Sequence, residues 1–107
     1  MAIILCVLSF ACSAVGKWWT GDIYRVFPLA SGEVVVSFEV SAPSCTGADT
    51  HKFHRIKVGE NSMTQEGADK IYSLLLAAAS SKRQVSINFD DATNKCYVNR
   101  AYINFSQ

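Results

Sequence analysis

Four cysteines punctuate the 107-residue chain, and their positions constrain its fold more than any other feature. Two of them, Cys6 and Cys12, fall in "MAIILCVLSFACSAVG". There Ala2 to Ala11 is a continuous apolar run of signal-peptide length, too short to cross a bilayer. Small residues follow, and both "CSA" ending at Ala14 and "AVG" ending at Gly16 suit a signal peptidase, although no charged residue precedes the run. We therefore expect residues 1–16 to be a secretory signal peptide and residues 17–107 a single domain, secreted or periplasmic. Two alternatives stand beside this: a lipid anchor through Cys12, and a buried first strand. Removal of the leader leaves Cys45 and Cys96. In an oxidising compartment, two cysteines in a small domain most simply form one disulfide. Closing a loop of roughly 50 residues in this way is worth about 4 kcal/mol in the chain-entropy model. For a domain of this size that is a large share of the net stability.

Charge narrows the function classes. The net charge is +1, and all ten basic and nine acidic residues lie beyond the leader with the signs interspersed. A nucleic-acid surface needs a concentrated basic footprint and a membrane-docking patch needs a polybasic run; the chain has neither.

Hydrophobic periodicity orders the elements. "GDIYRVF", ending at Pro28, reads as a first strand and "PLASGE" as a turn. Glu33 to Ser41, "EVVVSFEVS", puts Val34, Val36, Phe38 and Val40 on one face and Glu33, Ser37 and Glu39 on the other. "HKFHRIKVG" reads as a third strand in which Phe53 falls out of phase with Ile56 and Val58, a shift that a β-bulge would absorb. Ser62 with Gln65, or Thr64, opens a helix whose apolar face runs through Ala68, Ile71, Tyr72, Leu75 and Ala79, widened by Leu74, Leu76 and Ala78. Arg83 to Phe89 alternates with Val85, Ile87 and Phe89 inward and Gln84, Ser86 and Asn88 outward. Cys96 to Phe105 forms the last strand, with a phase slip between Val98 and Ala101 that again suggests a bulge. Three strands, a helix and two strands give a β-rich α+β class. An OB-like five-stranded barrel with one helix between the third and fourth strands fits this order, with a sandwich or an open sheet as alternatives.

Few residues invite chemistry. "SCTGADTHKFHR" gathers Cys45, Asp49, His51 and His54, but histidines three apart on a strand point to opposite sides and cannot share a metal. A loop start at Thr50 with Asp49 as a further ligand would be needed to rescue such a site. With Cys45 oxidised there is no thiolate nucleophile. The expectation is solvated edge histidines, no metal and no cofactor. Asp90 and Asp91 read as turn formers and not as a carboxylate pair facing across a substrate. "NFS" at Asn104 matches the glycosylation triplet but lies in the expected last strand. The chain is thus expected not to be an enzyme. Trp18 and Trp19 suggest one ring plugging the core and the other left outside, where an indole stacks on the apolar face of a sugar; packing of both rings is the alternative. Gln84, Ser86 and Asn88, together with Asn99 and Arg100, would supply hydrogen bonds to hydroxyls.

The stretch "GADKIYSLLLAAASSKRQVSINFDDATNKCYVNRAYI", with "PSC" upstream and "WWTGDIYRVF" and "GEVVVSF" before it, resembles a group of small secreted bacterial proteins of unknown function. These have a Leu/Ala-rich helix, a short turn, an alternating strand, and a cysteine opening the last strand. The turn here, "SSKRQ", lacks the glycine of that pattern. More distantly, the element order resembles the receptor-binding subunits of pentameric bacterial toxins, in particular the subtilase type, which are OB-folds that bind sialylated glycans. This resemblance implies a secreted binding module for a glycan or protein receptor, and a homo-oligomer. It transfers no individual site residue. The second reading is an envelope or extracellular protein-interaction domain without a small-molecule ligand.

Overall fold

The computed structural model of the chain describes residues 16–46 and 52–105; all of the expected signal peptide but its last residue, with Cys12, and Asp49 and His51 lie outside the described residues. Among the described residues, six strands and one helix follow one another: β1 (Lys17–Gly21), β2 (Ile23–Pro28), β3 (Val34–Phe38), β4 (His54–Ile56), α1 (Gln65–Ser81), β5 (Val85–Phe89) and β6 (Val98–Ile103). They form two three-stranded antiparallel sheets, β1-β5-β6 and β2-β3-β4.

The extra strand comes from the start of the domain. Periodicity placed one strand over "GDIYRVF", whereas "KWWTG" is a strand in its own right, paired with β5. The chain then bends at Asp22 and crosses to the other sheet, where the Asp22 carbonyl accepts a hydrogen bond from the Glu39 N–H at 2.9 Å. Gly21 permits the bend to sit tightly: a Cβ there would lie 3.3 Å from the Phe38 ring and 3.2 Å from the Trp19 indole nitrogen. On the opposite side, the sheets meet through a single parallel bridge, Arg55 to Tyr97, with the Arg55 N–H donating to the Cys96 carbonyl at 3.4 Å. Among the described residues no continuous ladder closes them: the β-rich α+β class takes the form of two three-stranded sheets and one helix, joined by the bend at Asp22 and one bridge.

Both sheets turn one face to a common core of Val34, Val36, Phe38, Ile56, Leu75, Ala78, Val85, Ile87, Phe89 and Val98. Each large side chain removed from water in this way contributes roughly 1.5–3 kcal/mol before entropy is counted. Helix α1 packs against β6 and β2 and buries Ala68, Leu75 and Ala78. Leu76 and Ala79, expected on that face, are exposed, and so is Val40, because β3 ends at Phe38. Thr64 is the N-cap, its hydroxyl accepting from the Gly67 N–H at 3.0 Å. The helix ends on Lys82 in the left-handed conformation (φ 56°), within the turn "SSKRQ".

Two bulges set which side chains face out. One lies in β2, where Ile23 pairs with Phe38 but Arg25 with Ser37, leaving Tyr24 as the inserted residue. The other lies in β6, where Asn88 pairs with Arg100 but Phe89 with Val98, so Asn99 is inserted. The bulge expected in the third strand is absent. His54 and Ile56 point inward together, while Phe53 turns to the other face and meets the edge of Phe27 at 6.0 Å. A disulfide joins Cys45, in the loop after β3, to Cys96, just before β6, with both sulfur-bearing residues buried.

Candidate binding platform

Strand alternation and register together build a grid on the outer face of the β1-β5-β6 sheet. Trp18 lies opposite Asn88, which lies opposite Arg100; one step along, Thr20 lies opposite Ser86, which lies opposite Tyr102. Their sequence neighbours Trp19, Ile87, Ala101 and Ile103 take the opposite phase and pack on the core. Adjacent tryptophans therefore divide between two faces, as period-two geometry requires. Trp18 is 49% exposed, while Trp19 is partly buried and donates its indole N–H to the Val40 carbonyl at 3.1 Å.

The two exposed aromatic rings lean together over the central strand. The Trp18 and Tyr102 ring centroids are 5.5 Å apart at an interplanar angle of 53°, and Tyr102 is 46% exposed. The Arg100 guanidinium carbon lies 5.2 Å from the centre of the Trp18 ring, a cation–π contact. Beneath these residues, Ser86 and Asn88 are buried, not solvated as alternation alone suggested: they form the floor of a sheet whose flanking strands carry large side chains. Thr20 and Ser86 share a hydroxyl–hydroxyl hydrogen bond of 2.5 Å. Gln84 is exposed but precedes β5 and stands outside the grid.

The bulge at Asn99 holds the cation in place. Asn99 Oδ1 accepts from Arg100 at 2.8 Å, and Asn99 Nδ2 donates to the Asn61 carbonyl at 2.7 Å. Asn61, itself in the left-handed region at φ 53°, donates its side-chain amide to the Tyr97 carbonyl at 2.8 Å. Arg100 is thus tied through two asparagines to the loop ahead of α1. The alternation "NRAYI" signalled Tyr102 beside Arg100, and sequence reasoning missed it. Asn61 is 38 residues away from Asn99 and carried no local signal.

The remaining candidates are placed elsewhere. Asp90 accepts the Ala92 N–H at 2.8 Å, forming a turn, and Asp91 is exposed beside it. Asn104 is exposed and follows the end of β6 instead of lying within it. His54 corrects its expectation most sharply. It is not a solvated edge residue but is fully buried, its ring set edge-on to Phe38 at 5.6 Å and Phe89 at 4.6 Å. Burial lowers its pKa from 6.5 to about 4, because the charged imidazolium has no water around it. A separate open cleft of about 430 Å³ lies between the end of α1 and the β2–β3 sheet, with Asp22 and Glu39 facing Lys82 and Arg83. Neither a histidine nor a cysteine lines it, so it offers charge but no nucleophile–base pair.

The arrangement of strands, helix and bend has a counterpart among solved structures. The cholera toxin-like B-subunit from Citrobacter freundii superimposes with a TM-score of 0.60 at 12% sequence identity, over 90% of this chain and 95% of that one. The two share a fold. No protein-family model and no curated protein matches the sequence.

Proposed function

We propose that this chain is a secreted, non-enzymatic binding module of OB-like design. In this reading residues 1–16 are its signal peptide, and the Trp18–Arg100–Tyr102 platform stacks against a sugar ring of a receptor glycan. β1 and β2 are then one bent first strand, which with β3, β4, β5 and β6 makes the five strands of the OB arrangement, closed at the Arg55–Tyr97 bridge. One observation carries the binding reading: two half-exposed aromatic rings and a guanidinium converge over a polar floor on one sheet face. The rings supply flat apolar area for the C–H face of a sugar, and the planar guanidinium matches a carboxylate, which suits an acidic sugar. The disulfide and the shared fold with a toxin-like B-subunit support an extracytoplasmic setting. Screening the purified protein on a glycan array is expected to give binding to acidic oligosaccharides. Trp18→Ala should weaken it by about tenfold, near 1.4 kcal/mol. An array without binding, from a protein shown to be folded, would remove the glycan from the proposal.

A second reading, a protein-interaction domain without a small ligand, is favoured by the part of β6 beyond the Arg55–Tyr97 bridge, which pairs with no further strand among the described residues, and by the exposed Val40 and Phe105 near sheet ends. The same edge offers backbone groups to a second copy, the route to a homo-oligomer. Light scattering separates these cases: a ring-sized species supports self-assembly, and a monomer that captures an envelope protein supports the second reading.

A further inference from the structure

His54 is fully buried between the rings of Phe38 and Phe89, and neither of its ring nitrogens has a hydrogen-bond partner. A buried polar group left unsatisfied costs on the order of 1–3 kcal/mol, so the imidazole calls for a reason that packing does not supply. That reason lies beside it. The ligand-capable atoms of His54, Cys45 and Cys96 all lie within 4.8 Å of one another, and all three residues are buried. Around one tetrahedral zinc ion, ligand atoms at roughly 2.0–2.3 Å from the metal stand about 3.3–3.8 Å from one another. Cleavage of a disulfide, whose sulfurs bond at about 2.05 Å, need therefore part them by only about 1.7 Å, with the imidazole already within 4.8 Å of both. The Phe53 carbonyl oxygen, 3.8 Å from the Cys45 sulfur, is a fourth ligand-capable atom nearby.

We propose that the reduced chain holds one thiophilic divalent ion, such as Zn²⁺, on the sulfurs of Cys45 and Cys96 and a ring nitrogen of His54, and that the disulfide and the ion exclude each other. Two thiolates and a neutral imidazole around a divalent ion make a centre of zero net charge, the one charge state a dry core accepts without a counter-ion. The burial that keeps His54 neutral also keeps its lone pair available as a ligand. Electrons and protons balance as follows. A dithiol reduces the Cys45–Cys96 bond to two thiols and becomes a disulfide itself. The ion then displaces the two thiol protons as it binds. In reverse, an external disulfide takes two electrons from the bound thiolates and two protons from solvent, the Cys45–Cys96 bond forms, and the ion leaves. Sequence spacing hid this site, because it pairs one histidine with two cysteines that are 51 residues apart.

The test uses the purified chain, reduced with a phosphine, desalted without oxygen and titrated with Cd²⁺ while thiolate-to-metal absorption is followed; Zn²⁺ then competes. The expected result is one ion per reduced chain and none on the oxidised chain. His54→Phe should weaken binding by at least the roughly 10–100-fold that loss of an outer-shell partner costs. Should His54→Phe fail to fold, ¹⁵N spectra of the His54 ring in the wild-type chain give the same information, since coordination moves the ring nitrogen resonance. The proposal is overturned by absence of the absorption band in the reduced chain, by one ion per two chains, by unchanged affinity in a folded His54→Phe, or by an unmoved His54 resonance at saturation.

Discussion

His54 is the residue whose environment departs furthest from what its chemistry prefers, and the consequence is a pH-dependent stability. Its folded pKa, about 4, lies below the unfolded value of 6.5, so the unfolded chain takes up the proton first as pH falls. The stability tied to neutral His54 is complete above pH 6.5 and is lost progressively as pH falls from about 6.5 to about 4. The difference corresponds to roughly 3 kcal/mol for the disulfide-bonded protein. Urea unfolding at pH 7 and pH 4.5 is expected to show a drop for wild type that His54→Leu largely lacks; equal drops in the two proteins contradict the assignment. This residue also marks where sequence reading stopped. Histidine counts as polar in an alternation pattern, so a solvated edge is the expected place for His54; the structure buries it in phase with Ile56, and no bulge brings Phe53 to that face. Trp18 and Trp19, by contrast, could only fall on opposite faces once they lay in a strand, and the notion of one ring in and one out was accessible from their adjacency alone.

At the scale of elements, caps and phase slips were the readable signals. Thr64 stands where a helix N-cap was expected, and the slip between Val98 and Ala101 corresponds to the Asn99 bulge. Strand β1 went unread because "KWWTG" is short and its pairing partner, β5, is more than sixty residues away. The burial of Ser86 and Asn88 was illegible for a similar reason: a strand's own alternation does not reveal how large its neighbours' side chains are. The helix end carries a testable strain. Lys82 holds a left-handed conformation that disfavours a Cβ, and its backbone N–H meets the carbonyls of Ala78 and Ala79. Lys82→Gly is expected to stabilise the domain by about 0.5–1 kcal/mol, the relief of left-handed strain partly offset by glycine's greater chain entropy. Thermal melts should rise accordingly, and a lower midpoint would contradict this reading of the C-cap.

For the whole molecule, the common core and helix α1 hold the sheets together, and the bend at Asp22, the bridge from Arg55 to Tyr97 and the Cys45–Cys96 bond join them directly. The covalent one spans 51 residues, tying the loop after β3 to the start of β6. Replacing both cysteines by serine is expected to cost about 4 kcal/mol, read as a lower denaturant midpoint with a steeper slope, because the unfolded chain loses its cross-link and exposes more surface. A loss below about 1 kcal/mol would mean that the core alone fixes the two sheets. Element order and the disulfide made this architecture accessible from sequence, whereas the division into two sheets depends on one bent strand that no local pattern announces. The outer face of the β1-β5-β6 sheet then gathers residues from both ends of the chain, Trp18 and Thr20 from β1 with Arg100 and Tyr102 from β6, so it exists only in the folded domain.

The most direct measurement is a ¹H–¹⁵N NMR titration of the oxidised protein with a panel of acidic and neutral oligosaccharides. If the platform is the binding surface, shifts will concentrate on Trp18, Thr20, Ser86, Asn88, Arg100 and Tyr102, including the Trp18 indole N–H, and will disappear in Trp18→Ala. Shifts confined to the cleft of Asp22, Glu39, Lys82 and Arg83, or none with any sugar, would contradict it.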